Sequence, residues 1–521
     1  MNQRTENFLL HSFLISAFII SLYSFIVTPF SGDLFVLFAG SHQADMLGGN
    51  IISNAFMQWD LKGAFYRLAL YIIYRCINPF VNLIGTGTNF CIAVNAFFCA
   101  CVIAAITFSV IIARGIKEGR KNLFAILALC TAIFASFQHT HIQAEMICAV
   151  KLILAFSVYI NAQRTKRFFR TKIFISGFIA AGIIFYKTIF ALMALPFAAG
   201  IYLYNRKNNC TLGLRDFLFI IAGGLLMLLG ASALILCINP HEIQNILDAA
   251  VWQHTFINGE GKILPALRDF VMFGAYSALT IPVILCGLIF SAFNFLDDIR
   301  SRSYECIILR LLLWLGSLSV IVIANCYFIY HYFILVPEFV LEIYLANKRR
   351  KFAKCAVSFA LVISAAFYLC FMSPFSVYVS ESTKLTEETY SESRKIISAL
   401  NISPSESIMY LDDGFGAYLI GNKSWLDEYY PLPLQRVRED SEYPSHVKVL
   451  KKALDFRERY VAVNDSWFFK EGNNQRIKDK LNREYRKRCS LSMYTSTLNV
   501  FRSPSEKKLH RVIDIYERIM P

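Results

Sequence analysis

Asp33, Asp45 and Asp60 are the acids of one segment, 31–88, which follows the first apolar run of the chain. Asp33 opens the stretch Gly32-Asp33-Leu34-Phe35-Val36-Leu37-Phe38-Ala39, so apolar residues hold its carboxylate at a membrane boundary rather than on a loop tip. A carboxylate at that depth can take a proton from a hydroxyl while a lipid-borne leaving group sits beside it. A helix cap or a solvated boundary charge is the plainer role for the same residue.

A second set is cationic and aromatic. Lys187 follows Tyr186 where a helix is expected to break, and His331 lies in Tyr327-Phe328-Ile329-Tyr330-His331-Tyr332-Phe333. His139, His141 and Glu145 fall together between two apolar runs. Cations beside aromatic residues suit a phosphate joined to a lipid chain, because charge holds the phosphate and an apolar wall holds the chain. Lys187, His331 and Tyr332 are therefore the phosphate candidates, with His139, His141, Glu145 and Arg67 in support. The His139-x-His141 spacing permits metal ligation, but no third ligand is evident, and neither a metal nor another cofactor is expected.

Charges inside apolar runs cost about 2.5 to 3.5 kcal/mol each at a helix centre, so Lys151, Glu338 and Glu342 are notable as well. Lys151 either reaches the boundary or pairs with Glu145, and Glu338 and Glu342, one helical turn apart, can meet the basic residues Lys348 to Lys354. Asp297-Asp298 and Asp412-Asp413 read as solvated loop charges or helix caps. There is no Walker loop, G-x-G-x-x-G, G-x-S-x-G or H-E-x-x-H motif, which disfavours a cytosolic nucleotide site.

The elements that must position these groups follow from composition. Of 521 residues 56% are hydrophobic and only 17% charged, which places most of the chain in a bilayer. Apolar length sets eleven expected spans: 8–30, 89–113, 123–137, 146–160, 173–185, 189–204, 215–237, 270–294, 306–325, 329–346 and 355–374. Several are short, and the pair around Tyr186-Lys187 reads as broken or re-entrant.

Before Ser376 the chain carries about 28 Lys and Arg against 16 Asp and Glu, an excess concentrated in alternate loops. That pattern predicts a cytoplasmic N-terminus and an exterior tail, and it assigns the +15 net charge to membrane topology, with no nucleic-acid partner. Nearly all of the 14 cysteines lie in or beside apolar runs, so no disulfide framework is expected. Exterior segments 31–88 and 239–268 are too long for connectors and are expected to cover a site, the first with a helix through Phe65, Arg67, Leu68, Tyr71 and Tyr74 lying in the interface.

The division expected is a transmembrane module, 1–375, and an exterior α/β domain, 376–521. Strands are expected at 407–411, 460–463 and 497–501, and helices at 386–400, 445–456, 473–488 and 505–519.

This architecture resembles the GT-C superfamily, polytopic glycosyltransferases that use polyprenyl-phosphate-linked sugars at the exterior face. Asp33 just after the first span, Tyr330-His331-Tyr332-Phe333 leading to Pro337, and an α/β domain after the last span carry the resemblance. It implies inverting transfer to a glycan, lipid or protein acceptor in a bacterial inner membrane, with an acid after the first span as base. It also implies that the aromatic-His stretch lines the donor pocket. Asp33 lacks the adjacent second acid of many members, which leaves Asp33, Asp45 and Asp60 as alternatives for the base. An O-antigen polymerase or ligase places its large exterior loop between spans, and a lipid-linked-glycan flippase or other transporter tends to show inverted repeats. Here a sizeable segment follows the last span, and no repeat is evident.

Overall fold

A computed structural model describes residues 3–27, 50–56, 63–80, 88–115, 119–134, 142–243, 282–324, 329–346, 391–403, 405–411, 454–464, 474–496 and 507–519. Shorter described pieces include 40–43, 45–46, 270–272, 274–275 and 468–469. The helices are α1 Gln3–Val27, α2 Ile51–Phe56, α3 Ala64–Ile77, α4 Thr88–Arg114, α5 Gly119–Phe134, α6 Ala144–Thr165, α7 Phe169–Ala181, α8 Ala194–Lys207 and α9 Leu214–Ile238. After them come α10 Pro282–Arg300, α11 Tyr304–Ala324, α12 Val336–Leu345 and α13 Gln475–Glu484. The strands are β1 Ile408–Leu411, β2 Tyr460–Val463, β3 Tyr485–Ser496 and β4 Lys507–Arg518.

Among the described residues, five helical stretches are long and apolar enough to cross a membrane: Asn89–Arg114, Ala144–Thr165, Thr188–Lys207, Leu214–Ile238 and Tyr304–Val322. The chain packs as two compact units. One comprises Met1–Val27, Asn95–Ala233 and Gln253–Ser373, and the other Thr28–Val94, Leu234–Trp252 and Pro374–Pro521.

In the first unit α6 is the central helix, buried along most of its length. Its neighbour α7 meets α9 so closely that a Cβ on Gly177 would strike the Ile220 carbonyl, and one on Gly223 the Phe174 carbonyl. Small residues permit this backbone contact, which is how helices associate where burial from water no longer drives them. Gly115, at φ +83°, ends α4 in the left-handed region that glycine favours, its N–H bonded to the Ile111 carbonyl at 2.7 Å.

After α7 the helix tightens into a 3₁₀ turn, Gly182–Phe185, is interrupted at Tyr186 and Lys187, and resumes as a second 3₁₀ turn, Thr188–Met193, leading into α8. Lys187 itself is extended (φ −159°, ψ 124°), so the break expected from sequence is present. A third 3₁₀ turn, Ile329–Leu335, precedes α12 and carries His331 and Tyr332. Of the expected span 270–294, residues 270–272 and 274–275 are helical and 282–294 lie in α10.

In the second unit, α3 is the helix expected over Phe65 to Tyr74, with Tyr66, Arg67, Leu70, Tyr71 and Tyr74 on its buried side. The tail forms a four-stranded sheet in the order β1-β2-β4-β3, parallel between β1 and β2 and antiparallel elsewhere. Ile477 and Leu481, four residues apart on α13, pack with Met409, Leu411, Val461, Val463, Phe456 and Phe468 in its core.

Two expectations for the tail are corrected. Residues 507–518 form a strand, not a helix, because Ile513 and Ile515 alternate inward and are β-branched, while pairing with β2 and β3 satisfies the backbone. The expected helix 473–488 stops at Glu484, where β3 begins. The expected strand 497–501 lies outside the described residues, as does nearly all of span 355–374.

Candidate functional site

Three distant segments bring Glu145, Lys187 and His331 together in the first unit. Glu145 sits in the first turn of α6, where the partial positive charge of a helix N-terminus favours a carboxylate. Lys187 occupies the helix break, which turns its backbone out of helical register. Its Nζ lies 3.0 Å from Glu145 Oε1, and His331 Nε2 approaches the same oxygen at 3.5 Å. The side chains are 2% exposed for Glu145, 13% for Lys187 and 5% for His331, so the cluster is dry and its attractions are weakly screened.

Lys151, one to two turns further along α6, directs its Nζ to the Tyr186 hydroxyl at 3.4 Å and over that ring at 4.5 Å. Of the two roles open to it, pairing with Glu145 falls to Lys187 instead. Tyr332 donates its hydroxyl to the Phe270 carbonyl at 2.6 Å and packs against the Phe270 ring, bracing the turn that carries His331. The two cations chosen for a phosphate thus meet a carboxylate here, and an anion entering the cluster must share them with Glu145.

The second unit holds two further polar groups. Asp45 is ion-paired with Arg75 and accepts the Tyr71 hydroxyl at 3.0 Å, while Asn54 donates to that hydroxyl at 3.3 Å. Burial pushes the Tyr71 phenol above its ordinary range, and the Asp45 carboxylate adds to the shift against Asn54. The hydrogen bond to Asp45 raises the Arg75 guanidinium in turn. Arg67, in the first turn of α3, is buried and reaches Glu242 Oε1 at 2.7 Å. Asn239 donates to the other Glu242 oxygen at 3.2 Å and to the Phe56 carbonyl at 3.0 Å, tying the segment after α9 to the end of α2. Arg67 therefore ties α3 to Glu242, in the segment after α9.

Asp33, Asp60, His139 and His141 lie outside the described residues. Among the described residues no three His, Cys, Asp or Glu side chains converge as metal ligands.

Sequence reasoning missed a charge network at the ends of α8, α10, α11 and α12. Arg310 is 1% exposed, donates to Asp298 Oδ2 at 3.0 Å and is ion-paired with Glu342. Lys207 also pairs with Asp298, and Asn294 donates to Glu342 Oε2 at 2.8 Å. Asp298, expected as a solvated charge or cap, is fully buried because two cations compensate it. The available signal was Arg310 itself, a charge inside the apolar run 306–325 that demands a partner.

Compared with known proteins, the chain matches no family model, no curated protein and no solved structure.

Proposed function

We propose that the protein is a membrane glycosyltransferase that moves a sugar, with inversion, from a polyprenyl-phosphate carrier to a glycan, lipid or protein acceptor at the exterior membrane face. The observation that carries this reading is the convergence of Lys187, Glu145 and His331 in a unit built largely of apolar helices. Ionisable groups are retained in such surroundings where they serve a substrate or a path for ions. The resemblance to GT-C enzymes supplies the reaction class, while apolar length and the basic loops supply eleven spans, a cytoplasmic N-terminus and an exterior tail.

In this mechanism Asp33 removes the acceptor's hydroxyl proton. The oxygen attacks the anomeric carbon opposite the phosphate, the sugar–phosphate bond breaks, and its electron pair leaves with the phosphate on the carrier. Lys187 and His331 stabilise that departing charge, and Glu145 holds both in place until the donor arrives. Asp45 and Asp60 are the alternative bases.

The test supplies membranes with a panel of polyprenyl-phosphate sugars and follows labelled sugar into acceptor. Transfer by the wild type that falls at least 100-fold in both Asp33→Asn and Lys187→Met, at equal protein level, is expected. Full transfer by Asp33→Asn removes that residue as base. The absence of turnover from every carrier, together with movement of lipid-linked glycan between leaflets, overturns the enzyme reading in favour of a transporter.

A further inference from the structure

Three of the helices long and apolar enough to cross a membrane meet at one end of the first unit, where α4 closes at Arg114, α6 closes at Thr165 and α9 opens at Leu214. The Asn161 amide donates to the Ile112 carbonyl at 2.7 Å, and Arg170, just after the α6–α7 turn, lies 3.7 Å from Asp216 on α9. Segments 114–121 and 164–172, which join these helices to their neighbours, carry nine Lys and Arg against Glu118 alone. Loop charge of one sign orients a membrane chain wherever in the loop it falls, so orientation does not require that any of it be fixed.

Here several of the cations are fixed, by partners that leave their charge whole. Lys172 donates to Asn161 Oδ1 at 2.6 Å and to Thr165 Oγ1 at 2.8 Å, and Arg164 donates to the Arg114 carbonyl. Arg167 lies against the Phe168 ring, 5.2 Å from its centre. Among the described residues none of these three cations has a carboxylate partner, whereas at the same end Arg170, Arg206 and Lys207 are ion-paired with Asp216, Glu305 and Asp298. Burial lowers the Lys172 ammonium from its ordinary range, and the charges of Arg167 and Arg164 lower it further. An anion entering the cluster relieves that repulsion.

The rest of the surface defines which anion. The α6–α7 turn takes left-handed backbone at two residues other than glycine, φ 55° at Lys166 and 53° at Phe168, a conformation that is costly to hold. It leaves the Phe168 ring 67% exposed beside Arg167. Leu214, two residues before Asp216, is 77% exposed. A small soluble anion gains nothing from exposed apolar side chains next to the cations that hold it. An anionic lipid uses both, its phosphate meeting guanidinium and ammonium groups and its apolar part meeting the ring. A zwitterionic lipid brings an ammonium of its own, which the cluster repels.

We propose that Arg164, Arg167, Lys172 and Phe168 form a binding surface for an anionic phospholipid of the bilayer that these helices cross, the three cations taking its phosphate and Phe168 its glycerol and upper chain. Arg164 lies about five turns of α6 from Glu145, so this surface is separate from the proposed transfer site and does not depend on that reaction.

Native mass spectrometry of delipidated protein titrated with dioleoylphosphatidylglycerol or dioleoylphosphatidylethanolamine tests the assignment. Arg167→Gln removes a cation that makes no hydrogen bond among the described residues, and it should melt with the wild type. Arg206→Gln removes the same charge at the same end, from an exposed ion pair. The wild type and Arg206→Gln are expected to bind the first phosphatidylglycerol at least about 5-fold more tightly than phosphatidylethanolamine, Arg167→Gln to bind it about 5-fold more weakly than the wild type, and Arg164→Gln/Arg167→Gln about 25-fold more weakly. Equimolar inorganic phosphate should leave the lipid bound. Equal affinity for the two lipids, equal weakening by Arg206→Gln and Arg167→Gln, or displacement of phosphatidylglycerol by inorganic phosphate overturns the inference.

Discussion

Replacing Glu145 by Gln and Lys187 by Met, singly and together, measures how strongly the buried pair is coupled. At 3.0 Å, with an effective dielectric of about 20, the attraction between the two charges is about 5.5 kcal/mol. Desolvation offsets much of that, since both side chains are nearly sealed from water. Each single replacement leaves the other charge buried without its main partner, and a loss of about 3 kcal/mol is expected for either. The double variant removes both charges, so it should be more stable than the sum of the singles predicts, by about 2 kcal/mol. Thermal unfolding in detergent, with roughly 2 °C per kcal/mol for a unit of this size, resolves the difference. His331 keeps the singles unequal: Glu145 left in Lys187→Met still has His331 beside it, whereas Lys187 left in Glu145→Gln loses the carboxylate at 3.0 Å, so Glu145→Gln should be the worse single variant. Strict additivity of the two singles refutes the reasoning, because it would mean that the charges do not interact.

Gly223→Val should cost about 2 kcal/mol by forcing α7 from α9, while Gly230→Ala, with nothing within 4 Å of its added Cβ, should be neutral or slightly stabilising; parallel melting curves compare them. Asp45→Asn should change stability by less than about 1 kcal/mol, because the Asp45–Arg75 pair is partly exposed, so a loss of transfer in that variant at unchanged melting temperature would be chemical in origin. Arg67→Met should destabilise the second unit by about 3 kcal/mol by taking from the buried Glu242 its ion pair with Arg67, seen as faster proteolysis at segments 31–88 and 239–268. In the tail, burial raises the Tyr485 phenol, which donates to the Glu458 carbonyl at 2.8 Å. A folded value above the unfolded value of about 10 means that this contribution is complete below pH of about 10 and is lost as pH rises through the folded value. The tail of Tyr485→Phe should therefore lose less stability than the wild type between neutral and strongly alkaline pH, as followed by chemical denaturation.

How much was legible depended on how local each cause was. The break at Tyr186-Lys187 was readable because a lysine interrupts an apolar run, and α3 because its aromatic residues recur at helical spacing. Strands β1 and β2 were readable from short β-branched and aromatic runs. The charged ends of 507–518 masked an inward alternation of Ile513 and Ile515, and only pairing with two other strands made that alternation decisive. Arg310 was visible in an apolar run, but its partners come from two other helices, so no spacing along the chain announces them.

By itself the sequence determined the solvent of this protein and its local conformations: apolar length, helix breaks and the residues able to carry charge. Tertiary structure alone decided that Glu145 meets Lys187 and His331, and that Asp298 is buried rather than solvated. The physical reason is that hydropathy and backbone preference act over a few residues. The stability of a buried charge depends instead on which opposite charges packing brings within a few ångströms from anywhere in the chain.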